Sequence, residues 1–469
     1  MAITTLTPGV YIEEISTLPP SVAPVATAIP AFIGYTATGP LRTPTRITSL
    51  PEFVSVFGGA KKETFGVTIT DTVVSGTVTD RVITVTAPTS LSYNMYYSLQ
   101  LYFANGGGPC WIVSIGSNTG SGPALADYYD PSNPDGLDAI EKIDEPTLLL
   151  FPDAIKLSTD TDYGTLIQMA LAQCNKLQDR FVISDVRDNA LANVGNYRTA
   201  VGTGNLKYGA AYMPFLNTVF NYAVNETVAN ITHTTTASPD YTGKSLLDLN
   251  TPPLSSNAYY NPGLYRQILA KINEHFVTLP PSAAMAGLYA SVDRDRGVWK
   301  APANVSVNAI SGPTIAITAS EQELLNVDAG SGKSINAIRT FTGKGTLVWG
   351  SRTLAGNDNE WRYVPVRRLF IFAEESIKKA TEFVVFEPND KNTWDRVRGL
   401  ISNFLTNLWR DGALAGATPK DAFFVKVGLG ETMTPQDILD GKLIVQVGMA
   451  AVRPAEFIIL QFSHKLQES

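Results

Sequence analysis

Apolar positions run along this chain in two textures, short blocks that are apolar at nearly every step and longer stretches striped at helical spacing. Leu148-Leu149-Leu150-Phe151 and Phe181-Val182-Ile183 are blocks of the first kind, the pattern of strands buried on both faces. Between them residues 162–178 are amphipathic at helical period. Upstream, an aromatic helix near Tyr96–Phe103 leads through Asn105-Gly106-Gly107-Gly108-Pro109 into a strand at Cys110-Trp111-Ile112-Val113. Alternating elements of this kind predict a mixed α/β chain with a mostly parallel sheet. Downstream, a helix from about Gly263 to Phe276 and a buried segment from Ala283 to Tyr289, on the way to Trp299, continue the series.

Three stretches break the pattern. Residues 44–60 read as a turn and a short helix closed by Gly58-Gly59. Residues 65–90, rich in Val, Ile and Thr with turn residues at Ser75-Gly76 and Asp80, read as a small β insert. Residues 221–256 form a polar, Thr/Asn-rich insertion.

The last third is the most informative. Trp361-Arg362-Tyr363-Val364-Pro365-Val366-Arg367-Arg368 leads into a helix at about 369–383, and Pro388-Asn389-Asp390 opens a second of about twenty residues. On that second helix Trp394, Val397, Ile401, Phe404, Leu405 and Leu408 share one face, while Arg396, Asn403, Thr406 and Arg410 lie opposite, facing something wet. Strands follow at Phe423–Val427 and Leu443–Val447, and a third beyond Pro454 through Phe457, Ile458, Ile459, Leu460 and Phe462. At the other end Thr7-Pro8-Gly9 introduces an extended segment carrying Val10, Tyr11, Ile12 and Ile15. Pro19, Pro20, Pro24 and Pro30 then favour a tether over a helix. Both chain ends therefore read as extended strand segments.

Composition narrows the partners. With 469 residues the chain exceeds the span of one ordinary core, so two or three domains are expected. A net charge of −7 and no Lys/Arg run argue against nucleic acid as a partner. No apolar run approaches a membrane span and the start lacks a secretory signal, so the expectation is synthesis and assembly in the cytoplasm without direct membrane insertion. Cys110 and Cys174 each sit in an apolar stretch and read as buried thiols.

Candidate chemistry is sparse. Gly332-Lys333-Ser334 resembles the tail of a phosphate loop, but Val327 stands where the motif needs glycine. The glycine run 106–108 lacks dinucleotide spacing. His233, His275 and His464 lie in unrelated contexts, and no serine sits in a nucleophile elbow. Asp293-Arg294-Asp295-Arg296 reads as a solvated or intersubunit ion-pair lattice. No catalytic, cofactor or metal site is expected.

Several segments, in order, resemble the tail sheath family of contractile phages, pyocin-like particles and extracellular injection systems. They are Pro8-Gly9-Val10-Tyr11-Ile12-Glu13-Glu14, Phe32-Ile33-Gly34, the Phe53-to-Gly59 stretch, the turn into Cys110-Trp111, and Val298-Trp299-Lys300-Ala301-Pro302-Ala303-Asn304. The C-terminal third matches most closely, through Ile335-Asn336, Arg339, Trp349-Gly350-Ser351-Arg352-Thr353, Trp361-Arg362-Tyr363-Val364 and Trp394-Asp395-Arg396-Val397. The stretches 65–90 and 221–256 do not match.

The resemblance implies an N-terminal linker arm at 1–20, an outer domain at 21–345, an inner domain at 346–455 and a C-terminal linker strand at 456–469. Copies would stack as six-membered rings around an inner tube protein, with baseplate and terminal cap proteins and paralogous sheath subunits as further partners. The N-arm of one copy (Val10, Tyr11, Ile12, Ile15) and the C-strand of another (Phe457, Ile458, Ile459, Leu460, Phe462) would add to the sheet of a third. Val425, Val427, Ile444, Val445 and Val447 would receive them. Arg396, Asn403 and Arg410 would face the tube, and the particle, phage or phage-tail-like, would leave the cell by lysis. The alternatives are a sheath-like cap or baseplate component and, from another class, a cytoplasmic α/β ligand-binding enzyme.

Overall fold

The computed structural model describes residues 22–120, 122–130, 136–187, 189–252 and 258–459. They divide into two compact units, one of residues 26–371 with 453–459, the other of 22–25 with 372–452.

Among the described residues, eight strands make the main sheet of the larger unit. Six run parallel in the order Asn336–Phe341, Gly209–Met213, Phe181–Asp185, Leu148–Leu150, Pro30–Thr36 and Cys110–Ser117. Antiparallel strands close the sides: Gly345–Val348 beside the first and Thr45–Ile47 beside the last. Phe32 faces Ile112 across one pair and Leu150 across the other, and the apolar blocks are buried along their whole length. That is why they carry no alternation. Helices Met95–Ala104, Asp160–Leu177 and Ser282–Arg296 pack on these strands. The segment 283–289 is the first half of the last helix, which touches the Met95–Ala104 helix so closely that a Cβ at Gly287 would stand 2.5 Å from the Tyr102 carbonyl oxygen.

The two unmatched stretches build one body. Gly66–Val74 and Thr77–Thr86 form the hairpin turned at Ser75-Gly76, and Ile231–Thr234 joins it in parallel with Val67 opposite Ile231. Leu246–Asn250 and Pro262–Ile272 cover it, giving a separate core of Phe65, Val67, Ile69, Leu246, Leu264 and Ile268. The second of these helices ends at Ile272, and Phe276 instead begins a strand, Phe276–Leu279, that pairs with Leu216–Asn221.

The stretch 346–371, which the resemblance assigns to the inner domain, falls in the larger unit. Gly345–Val348 pairs into the main sheet, Leu354 N donates to the Gly209 carbonyl at 2.8 Å, and Arg368 reaches Asp293. Asp293 is thus no part of a solvated lattice. Both partners are buried, Nη2 and Oδ2 lie 2.5 Å apart, and the Arg368 guanidinium carbon sits 4.6 Å from the centre of the Tyr289 ring. Its neighbours Arg294 and Asp295 pair in the open, as expected of that run. Removing one partner of a buried pair strands the other charge, so Arg368→Met is expected to lower stability by about 3–5 kcal/mol. Thermal unfolding will show the loss, and adding Asp293→Leu should recover most of it.

Candidate functional site

In the smaller unit the Lys391–Arg410 helix starts at Asp390, whose carboxylate accepts from Thr393 N at 3.0 Å. Val397, Ile401, Phe404, Leu405 and Leu408 are buried, and Trp394 is half-buried with its indole N–H donating to Asn389 Oδ1 at 2.7 Å. Arg396, Asn403 and Arg410, spaced seven residues apart, are all exposed in one row. Among the described residues no ion pair or hydrogen bond engages Arg396 or Arg410; the Arg396 guanidinium rests 5.2 Å from the centre of the Phe383 ring.

The strands Phe423–Val427 and Val445–Met449 pair antiparallel with Val425 opposite Val447 and Val427 opposite Val445. Among the described residues these two strands form a sheet by themselves. Ala450 N donates to the Ala422 carbonyl, and antiparallel alternation from that pair turns the backbone groups of 423, 425 and 427 to one open edge and those of 445, 447 and 449 to the other. Val427 is buried, Val425, Val445 and Val447 are half-buried, and Ile444 lies just before the strand and is exposed. The ladder therefore begins two residues later than the apolar run at Leu443 implied.

An apolar groove of about 630 Å³ lies along the second edge, lined by Ile377, Val397, Ile401, Leu443, Val445 and Val447. At its rim Val385 and Phe386 point into water, Phe386 fully exposed and held at φ +71°, a region that strains any residue with a Cβ. An apolar run of four, Phe383-Val384-Val385-Phe386, directly before Glu387-Pro388 was a readable sign of this feature. The sequence reading passed it over.

Of the terminal segments, Val10, Tyr11, Ile12 and Ile15 lie outside the described residues, as do Leu460 and Phe462. Phe457, Ile458 and Ile459 are described: they form no strand here and are 70%, 79% and 82% exposed. Just before them Glu456 is engaged by Arg352, Asn326 and Tyr363. Burial alone would raise its carboxyl, but the bonds from Arg352 and Asn326 outweigh it and hold it below the usual carboxylate range.

Two buried carboxylates stand at the carboxyl ends of the parallel strands. At the strand ends where the sheet order reverses, between Pro30–Thr36 and Leu148–Leu150, Asp153 accepts from the backbone N–H groups of Tyr35 and Asn94. Asp185 accepts from Ser282 N at 2.7 Å and from its hydroxyl. Burial pushes these carboxyls up to about 6 and about 7 against those hydrogen bonds. Lys333 is buried with its ammonium on the Arg198 carbonyl, and Cys110 and Cys174 are buried thiols. No group of three or more His, Cys, Asp or Glu among the described residues is placed to hold a metal ion, and no helix among them is long and apolar enough to cross a membrane.

Residues 356–465 match the family of the phage tail sheath C-terminal domain. Over 283 residues the chain is 25% identical to the tail sheath protein of Vibrio phage KVP40, covering 60% of this chain and 39% of that protein. The chain thus spans about two fifths of the length of that curated relative. Among solved structures, the contracted PVC sheath complex of an extracellular contractile injection system is similar with 31% identity over 99% of each chain and a TM-score of 0.64. The anti-feeding prophage (AFP) baseplate, 6-fold symmetrised, is similar with 34% identity over 99% of this chain and 100% of that one, again at a TM-score of 0.64.

Among the described residues Phe386 is fully exposed at a strained backbone angle, so Phe386→Gly is expected to leave the folded subunit unchanged or more stable by up to about 1 kcal/mol. A drop in its unfolding midpoint beyond that margin would show that the ring supports the fold instead.

Proposed function

The chain belongs to the contractile tail sheath family, and from that premise we propose that it is a sheath's repeating subunit, polymerising around an inner tube as stacked six-membered rings and contracting to drive the tube through a target envelope. The observation that carries this reading is the unfinished hairpin at 423–427 and 445–449, open at both edges and flanked by an apolar groove. The 6-fold symmetry of the AFP baseplate supports six copies per ring.

A neighbour's N-terminal arm, through Val10, Tyr11, Ile12 and Ile15, takes one edge, and another neighbour's C-terminal strand, through Phe457, Ile458, Ile459, Leu460 and Phe462, takes the other. Val425, Val427, Val445 and Val447 receive them, and Ile444 contributes an exposed side chain beside the ladder. An arm of about eight residues gains roughly 4–12 kcal/mol from net hydrogen bonds, while ordering its backbone costs about 8–16 kcal/mol. Pairing alone therefore leaves the arm unbound. Burying its large apolar side chains, at about 1.5–3 kcal/mol each, tips the balance, and the groove beside Val445 and Val447 supplies the cover.

Arg396, Asn403 and Arg410 face the tube. Baseplate and cap proteins bound the polymer, and paralogous subunits share its lattice. The role is structural, supported by the way Asp153 and Asp185 fill the strand ends. Synthesis and assembly are cytoplasmic, with release by lysis. The similarity to the AFP baseplate favours one second reading, a sheath-like baseplate component, which copy number per particle separates from the first.

Negative-stain microscopy of the expressed protein tests the class: hollow, obliquely striated cylinders are expected, and monodisperse single chains that never assemble would overturn it. Deleting residues 1–15 should leave a folded protein that builds no long sheaths. Val447→Pro should do the same from the receiving side, because the lost N–H points away from the hairpin partner; normal sheaths from both variants would remove the arms from the mechanism. Arg396→Glu combined with Arg410→Glu is expected to weaken assembly around the tube more than self-association. Equal behaviour of mutant and native chains in a tube-dependent assay would place the tube contact elsewhere.

A further inference from the structure

Residues 453–459 are the last described stretch of the larger unit, and no helix or strand holds them. One carboxylate does. Glu456 Oε2 accepts from Arg352 Nη2 at 2.6 Å and from the Tyr363 hydroxyl at 3.1 Å, while Oε1 accepts from Arg352 Nε at 3.0 Å and from Asn326 Nδ2 at 2.5 Å. Arg352 is itself fixed to the main sheet. Its side chain is almost wholly buried, Nη1 donates to the Asn326 and Gly356 carbonyls, and its backbone N and O bond the side chain of Asn336, which lies in the Asn336–Phe341 strand. One residue further on, Phe457 is 70% exposed. The chain passes from a clamped carboxylate to a largely exposed side chain within a single peptide unit.

We propose that the Arg352–Glu456 pair is the root of the C-terminal linker, pinning residue 456 to the larger unit so that the segment from Phe457 onward is the part that reaches a second copy of this chain. The proposal rests on the sheath reading and adds the point from which the linker is measured. A tethered strand finds its partner at an effective concentration set by its free length. Without the pair, the next fixed point upstream is Val452, whose N donates to the Ala413 carbonyl. The loose tether then grows by residues 453–456, about 13 Å of contour, and neighbouring copies lose their fixed spacing. A charged, multidentate clamp suits a root, because it holds one geometry while the rest of the arm bears load. Glu456 and Arg352 are positioning residues, acting through the strand that follows them.

The test uses the full chain and the variants Glu456→Ala, Glu456→Gln and Arg352→Met. On the isolated protein, chymotryptic cleavage after Phe457, followed by mass spectrometry of the released C-terminal peptide, should quicken about tenfold or more as local opening becomes easier, by more than the loss of the larger unit's stability, read by thermal unfolding of each variant, accounts for. In assembled sheaths, electron microscopy should show helical rise and twist spreading relative to the native polymer. Equal cleavage rates in all four proteins would overturn the root. Faster cleavage with native helical order would overturn its positioning role. If the native chain builds no sheath while cleavage still quickens in the variants, the sheath reading fails and the clamp stands, so the two failures are distinguishable.

Discussion

The strands Phe423–Val427 and Val445–Met449 pair with each other and, among the described residues, with no further strand, which leaves alternate backbone N–H and C=O groups on both outer edges without a ladder. A two-stranded sheet is marginal by itself, and open edges invite uncontrolled pairing. The subunit limits that hazard from within. The Lys391–Arg410 helix packs on the first strand, Arg398 donates to the Val427 carbonyl, and Lys426 and Phe424 stand exposed on the outer face. What this arrangement leaves open is geometry for one more strand on each side, with side-chain burial deciding which strand is accepted. Alternation then sets the register, because a one-residue slip would turn the apolar set of an arm away from the groove.

Completion of this sheet by other copies, as proposed, would have a consequence for motion. Strand pairings anchored by buried side chains persist while the bodies they join rotate, so a lattice can change pitch without losing its connections. That requires each arm to be fixed at its origin as well as at its tip. On the N-terminal side Val25 N donates to the Ser376 hydroxyl at 3.2 Å and Val22 is buried; on the C-terminal side the Glu456 carboxylate meets Arg352. The first origin belongs to the smaller unit and the second to the larger. In the proposed lattice a linker leaving from each body would tie neighbouring copies through both.

Much of this was legible in sequence where one local rule governs. Leu148–Leu150 and Phe181–Ile183 are apolar throughout because both faces are covered, and the face of Val397, Ile401, Phe404 and Leu408 follows from helical period alone. The hairpin of 66–86 was legible from its Ser75-Gly76 turn, but its third strand, Ile231–Thr234, was not, since parallel pairing between distant segments leaves no mark in either. Asp293 looked like its solvated neighbours because a charge run carries no record of which member finds a partner such as Arg368. The start of the final ladder was blurred for a similar reason: Leu443-Ile444-Val445 is apolar throughout, and pairing with Phe423–Val427 chooses the first bonded residue.

The two kinds of contact assigned to this subunit differ in strength for physical reasons. In the proposed assembly the arms would bind through apolar burial, which salt does not screen and which would have to survive contraction. The row of Arg396, Asn403 and Arg410 is exposed, and cations in that setting interact weakly, over a distance of about 8–10 Å at physiological salt. A tube held by such contacts is aligned without being locked, since each bond costs little to break and the helix carrying them keeps its buried face unchanged. On this proposal permanent links would belong to the strand edges and releasable ones to the wet helix face.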